Sequence, residues 1–228
     1  MESTVGSRQQ PARTDDQRPF SDRTDAGREL ARLLSSYAGR TDVVVLALPR
    51  GGVPVAAQVA EALGAPLDVY VVRKLGTPGH RELAMGAIAS GGVRVVNDEV
   101  VRWLGILPHQ IDDVAAEEMI ELERRESAYR GGRAAADLAG RTVILVDDGL
   151  ATGSTMRAAV QSVRQRNPSR VIVAVPVGAP STCSELSAIA DEVVCARRPD
   201  PFSAVGQWYV NFDQTSDDEV RQLLRAHE

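Results

Sequence analysis

Apolar residues fall in short runs, separated by polar segments of helical period. DVVVLALP (42–49), LDVYVVR (67–73), RTVILVDD (141–148), RVIVAVPV (170–177) and EVVCA (192–196) read as strands. They are apolar on successive positions rather than alternate ones, the pattern of strands covered on both faces. Between them lie helical patterns. Asp25 is placed to cap a helix carrying Leu30, Leu33, Leu34 and Tyr37 on one face, and VPVAAQVAEALG (53–64) ends at Gly64, a C-cap residue. Segment 108–128 turns Ile111, Val114, Met119 and Leu122 inward; further helices are expected from Thr155 to about Gln165, over 181–190 and over 216–226. MGAIAS and VRVVN, joined through Gly91-Gly92, read as a β-hairpin, and 74–84 as a polar loop. Strand, turn and helix alternate four times. The expected fold is therefore α/β, a parallel sheet flanked by helices, with an irregular aromatic stretch at 200–213 near the C-terminus. One domain over 24–228 is expected, behind a disordered N-terminal tail at 1–23 that carries four acids and four arginines.

Composition narrows the function classes. The chain has 228 residues, 43% hydrophobic and 25% charged, the proportions of a globular protein. No apolar window reaches the ~18 residues of a membrane span. The formal net charge is −5, which argues against a protein whose main work is gripping nucleic acid, where phosphate neutralisation supplies most of the affinity. Two cysteines, Cys183 and Cys195, do not make a thiol metal cage. With no apolar leader in MESTVGSRQQPARTDD, they read as free thiols of a cytoplasmic protein. Of the 26 basic residues only Lys74 is lysine.

Ligands of parallel sheets bind where strands end at their carboxyl edge, so the strand-end residues carry the functional information. VILVDDGLATGST (143–155) delivers Asp147 and Asp148 to that edge, followed by a tight hydroxyl-rich turn into a helix. Backbone N–H groups and a helix N-terminus there make a phosphate cup, to which Thr152, Ser154 and Thr155 add hydroxyls. The acids suit sugar hydroxyls or a hydrated Mg²⁺ rather than the phosphate itself. It is not a Walker A loop, which needs a lysine. LPRGGVPVA (48–56) offers a second anion loop, Arg50-Gly51-Gly52. Arg73 and Lys74 close the next strand, before a loop with Gly76 and Gly79. Four of the nine aromatic residues, Phe202, Trp208, Tyr209 and Phe212, crowd into 197–214, where flat rings can stack on a planar base. His80, His109 and His227 carry no comparable signal.

Segment 143–155 resembles the signature of the type I phosphoribosyltransferases, four apolar residues, two acids, then ATG[GS]T. The resemblance extends over 24–228, closest to a bacterial branch that combines LPRGGVPVA, VRKLG and DDGxATG. It implies that Ala151, Thr152, Gly153, Ser154 and Thr155 hold the 5-phosphate of 5-phosphoribosyl 1-pyrophosphate (PRPP), with Asp147 and Asp148 on the ribose hydroxyls and Mg²⁺. Arg50, Gly51 and Gly52 would bind the pyrophosphate; Arg50, Arg73 and Lys74 would stabilise its departure, the last two from a mobile catalytic loop. PDPF (199–202) with Val205-Gly206 resembles the hood of the 6-oxopurine enzymes, implying base contacts from Phe202, Trp208 and Tyr209. Mg²⁺ dependence, a small nitrogenous acceptor and a homodimer follow from the same resemblance. Two departures argue against ordinary hypoxanthine or guanine salvage: Ala151 stands where those enzymes have an acid, and VAVPVGAP (173–180) lacks their base-reading lysine. The alternative reading is a PRPP-binding regulator with weak turnover.

Overall fold

The computed structural model describes residues 18–227. Its main sheet has five parallel strands, β1 (Val43–Ala47), β2 (Leu67–Val69), β6 (Thr142–Val146), β7 (Arg170–Val177) and β8 (Glu192–Arg197), in the order β2-β1-β6-β7-β8. β1 and β6 pair in register over their full length, from Val43↔Thr142 to Ala47↔Val146, and both are wholly buried. Helices α1 (Arg23–Leu33), α2 (Gly52–Leu63), α4 (Pro108–Arg130) and α7 (Asp217–Arg225) share one apolar core with one sheet face. α5 (Ser154–Arg164) and α6 (Pro180–Leu186) enclose a second core on the other. Coverage of both faces explains the unbroken apolar runs.

A second sheet of three antiparallel strands, β3 (Val72–Thr77), β4 (His80–Ala89) and β5 (Val93–Val96), departs from this plan. LDVYVVR is divided between the two sheets rather than forming one strand. Tyr70 N–H still donates to Ala47 of β1, whereas Val71 N–H turns to the Ser90 hydroxyl at the end of β4. The buried Tyr70 hydroxyl meets Ser162 of α5 at 2.6 Å and pins the crossover. The loop expected over 74–84 is also strand. Only Pro78-Gly79 turns, with Gly79 at φ 79°, and the Thr77 hydroxyl closes the turn on the His80 carbonyl. Proline followed by a glycine of positive φ is the chemistry of a type II turn, so residues that read as a long loop make a tight hairpin. The hairpin through Gly91-Gly92 forms as expected, with Val96 opposite Gly86. Helix α3 (Asp98–Leu104), unanticipated in the sequence pattern, follows it: the Asn97 carboxamide accepts from Glu99 and Val100, and Gly105 ends it at φ 63°.

The N-terminal boundary also moves. Asp22, not Asp25, caps α1 by accepting the Asp25 N–H at 2.8 Å, while Asp25 accepts from Ser21. Phe20 is fully buried, so 18–23 belong to the folded domain; the rest of the expected tail, 1–17, lies outside the described residues. Leu33 is 53% exposed instead of facing inward, while Leu30, Leu34 and Tyr37 are buried. No helix among the described residues is long and apolar enough to cross a membrane.

Candidate functional site

The chain turns one way after β1, into α2 and out to β2, and the other way after β6, into α5 and on to β7. Those strands are neighbours, so their loops diverge to opposite faces and leave a crevice between them, the switch point where α/β sheets bind ligands. Both loops open directly into helices, so two helix N-termini, with amides unpaired inside their own helices, face one edge.

Asp147 and Asp148 stand at the end of β6 in this crevice. The Asp148 N–H donates to Asp147 Oδ1 at 2.9 Å, fixing the first carboxylate on the backbone of the second. Burial and the Asp148 charge push the Asp147 carboxyl well above its ordinary range. Asp148 is also raised by burial, but less, because the Arg23 guanidinium donates to its Oδ2 at 2.9 Å. Two adjacent carboxylates shielded from water favour a cation or hydroxyl donors over an anion.

The loop after them is shaped by contacts with its neighbours. Gly149 leaves room for Val205, whose Cγ1 would lie 2.5 Å from an added Cβ. Leu150 N–H extends the ladder to Val177, and the Thr182 hydroxyl donates to the Ala151 carbonyl at 2.6 Å. Gly153, at φ 67°, starts α5, and Thr152 and Ser154 are exposed with their hydroxyls 3.4 Å apart. An exposed row of hydroxyls and helix-start amides is free to take an anion.

Across the crevice, Gly51 and Gly52 have a reason that the sequence does not disclose. A Cβ on Gly51 would overlap the Asp148 carboxylate, 2.7 Å from its Cγ; one on Gly52 would lie 2.7 Å from the Val146 carbonyl oxygen. The glycines let the first loop lie against the acids. Arg50 is half-exposed, its guanidinium 3.7 Å from Asp217. The Pro49–Arg50 peptide bond is cis.

Arg73 and Lys74 do not act together, nor do they end a strand. They are successive residues inside β3, so they project to opposite faces. Arg73 is held by Glu118 of α4, with N···O distances of 2.6 and 2.7 Å. Lys74 is exposed and lines a cavity of about 670 Å³ together with Ser154, Arg157 and Gln161 of α5. The sole lysine thus shares a cavity with Ser154, the first residue of α5.

Residues 21–213 match the phosphoribosyl transferase domain family. The chain belongs to that family. It is 53% identical over 209 residues to proteins of Mycobacterium tuberculosis strains CDC 1551 and H37Rv whose phosphoribosyl transferase names are provisional. The match covers 91% of this chain and 47% of each relative, so the chain spans about half the length of the curated relatives it matches. The crystal structure of TT1426 from Thermus thermophilus aligns with a TM-score of 0.82 and 43% identity, over 92% of this chain and 99% of that one.

In this phosphoribosyltransferase domain the aromatic hood is not an open platform. Tyr209 is 6% exposed; its ring meets Phe20 at 5.6 Å and stacks on Phe212 at 4.9 Å. Its hydroxyl donates to the Asp148 carbonyl at 2.6 Å. The expectation that Tyr209 stacks on a base is therefore corrected: its role is to tie the hood to β6. Phe202 and Trp208 remain partly exposed and pack against the Phe20–Tyr209 cluster. Trp208 also lines a cavity of about 620 Å³ with Arg198, Pro199 and Asp200. Tyr209→Phe is expected to cost about 0.5–1.5 kcal/mol, the worth of an ordinary hydrogen bond, measured by urea unfolding.

Arg23 is the site residue missed at the sequence level. Besides Asp148, its guanidinium donates to the Asp213 carbonyl at 2.7 Å and lies 4.0 Å from the Phe212 ring. It sits on α1, beyond any motif, and only folding carries it to the acids. Asp147 and Asp148 are the residues that could hold a divalent cation. Among the described residues no third Asp, Glu, His or Cys completes a cage. Two carboxylates without a cage fit Mg²⁺, which keeps several waters and takes its other ligands from a phosphorylated substrate.

Proposed function

We propose that the domain transfers a 5-phosphoribosyl group from PRPP to a small nitrogenous acceptor, releasing pyrophosphate. The observation that carries this reading is the crevice between β1 and β6, where a part-buried acid pair lies between two helix N-termini. PRPP has that pattern of charge, hydroxyls flanked by a phosphate on one side and a pyrophosphate on the other. In this reading the amides and hydroxyls of 151–155 hold the 5-phosphate. Asp147 and Asp148 accept from the ribose hydroxyls. Gly51, Gly52 and Arg50 face the pyrophosphate. Bound Mg²⁺, held by the acids, would neutralise the pyrophosphate. The protein's own contribution is positioning, and stabilisation of the charge that develops on the leaving group, with Arg50 and Lys74 supplying fixed positive charge. Arg73, tied to Glu118, leaves the catalytic set. Phe202 and Trp208 are the remaining candidates for contacts with the acceptor.

A binding role on RNA has little surface to rest on. Arg124 and Arg125 are both tied to Glu121, and Arg130 is buried against Asp68. Phosphorus NMR of PRPP with Mg²⁺ and a nucleobase pool tests the transferase reading: pyrophosphate accumulates only when the pool is present. Pyrophosphate without any base, or PRPP binding without product in every pool, would overturn it. Lys74→Ala is expected to lower kcat about tenfold while leaving the melting temperature unchanged, because an exposed lysine supplies charge and little packing.

A further inference from the structure

Cys183 and Cys195 are the only cysteines of the chain, and the fold brings them together. Cys183 lies in α6 and is fully buried; Cys195 lies in β8 and is partly exposed. Their sulfurs converge on Gly178, where an added Cβ would lie 2.9 Å from Cys183 Sγ and 3.4 Å from Cys195 Sγ. Cys195 donates to the Arg197 carbonyl at 3.1 Å and opens into the 620 Å³ cavity that Arg198, Asp200 and Trp208 line.

The pair is wired to the hydroxyl-rich loop. Gly178 forms a bridge with Leu150, whose carbonyl accepts from Ala179 at 3.0 Å. Thr182, directly before Cys183, holds the Ala151 carbonyl, and its Cγ2 would lie 2.5 Å from a Cβ on Gly153. Closing the sulfurs from their places around Gly178 to the ~2.05 Å of a disulfide draws α6 and β8 together. The contacts of Leu150 with Gly178 and of Ala151 with Thr182 lie along that line.

We propose that Cys183 and Cys195 form a reversible thiol-modification site, which takes a low-molecular-weight disulfide into the cavity and closes to an intramolecular disulfide that loosens the 149–153 loop. Cys195 is the sulfur within reach of the reagent, since it lines the cavity while Cys183 is fully buried. The nearness of Cys195 pulls the Cys183 thiol down to about 7, while the nearness of Cys183 and burial push the Cys195 thiol up. Of the two thiols, Cys183 is therefore the one that gives up its proton first. In the first step Cys195 attacks one sulfur of the reagent as its proton passes to Cys183. A Cys195 mixed disulfide forms, the reagent's own S–S bond breaks, and one thiolate leaves. That thiolate takes the proton from Cys183, which then attacks the Cys195 sulfur and expels the second thiolate. Two electrons pass from the protein sulfurs to the reagent, which ends as two reduced molecules, one thiol and one thiolate.

The full chain is incubated across a series of oxidised and reduced glutathione mixtures, without PRPP, so the result is independent of the transferase reading. Intact mass and peptide mapping are expected to show loss of two hydrogens and a single Cys183–Cys195 linkage that dithiothreitol reverses. Hydrogen exchange of amides 149–155 is expected to speed up severalfold in the oxidised chain. Cys183→Ala, which keeps the core apolar, should stop at one glutathione on Cys195, and Cys195→Ala should take up none. A wild type that stays fully reduced, stops at the mixed disulfide or links between chains would overturn the proposal. So would unchanged exchange at 149–155 in the oxidised chain, or glutathione uptake by Cys195→Ala.

Discussion

With Mg²⁺ chelated, Asp147→Asn is expected to melt higher than the wild type at pH 8, with the gain gone near pH 4, while PRPP turnover in Mg²⁺ falls about hundredfold or more. Both effects have one cause. Burial and the neighbouring Asp148 push the Asp147 carboxyl well above its ordinary value, so the folded chain holds that proton more tightly than the unfolded chain does. Such a group costs stability as pH rises from the ordinary carboxylate range through the raised folded value, and costs nothing below both. Asparagine keeps an oxygen that can accept the Asp148 N–H and removes the charge. Each kcal/mol recovered raises the midpoint by about 2–4 °C for a chain of this size. In the proposed function the same substitution would weaken the hold on ribose hydroxyls and on a cation, which is where the turnover would be lost. Calorimetry at the two pH values, beside phosphorus NMR, checks the pair of outcomes. A midpoint that falls at pH 8 would show that the acids stabilise the fold, contrary to this account.

Gly51→Ala is expected to cut kcat/KM for PRPP at least about tenfold and to destabilise by about 1–3 kcal/mol, the usual cost of overpacking. Gly51 has φ −58° and ψ −31°, values that any residue adopts, so conformational freedom does not explain the glycine. Space does. The added methyl overlaps the Asp148 carboxylate and lies 3.3 Å from Arg23 Nε, so the carboxylate must swing and its ion pair with Arg23 must open. Steady-state kinetics with urea unfolding separates the two consequences. Unchanged kinetics with lost stability would mean that the Asp148 position is immaterial to turnover.

How much of this was legible beforehand differs by element. The β6 strand, its acid pair and the turn into α5 could be read directly, because a doubly buried strand, a carboxylate pair and a hydroxyl-rich turn each leave a local trace. Gly64 as a helix end was readable for the same reason, a left-handed residue at φ 63° after an apolar stripe. The hairpin of β3 and β4 was not, because its glycines and proline resemble a loop until cross-strand pairing of Lys74 with Ala87 is known. Arg73 and Lys74 are adjacent in sequence and separated by a sheet in space. Tyr209 looked like a base platform and is instead packed between Phe212 and Phe20, the latter from the opposite end of the domain sequence.

Local pattern alone determined the α/β class, the parallel strands and which strand end carries the acids, since periodicity, capping and turn chemistry act between neighbours along the chain. The tertiary structure alone decided that Arg23 is the counter-charge of Asp148, that Gly51 and Gly52 make room for the acid loop, and that two thiols meet under it. Those are contacts between segments distant in sequence, set by strand order and helix packing rather than by the residues beside them.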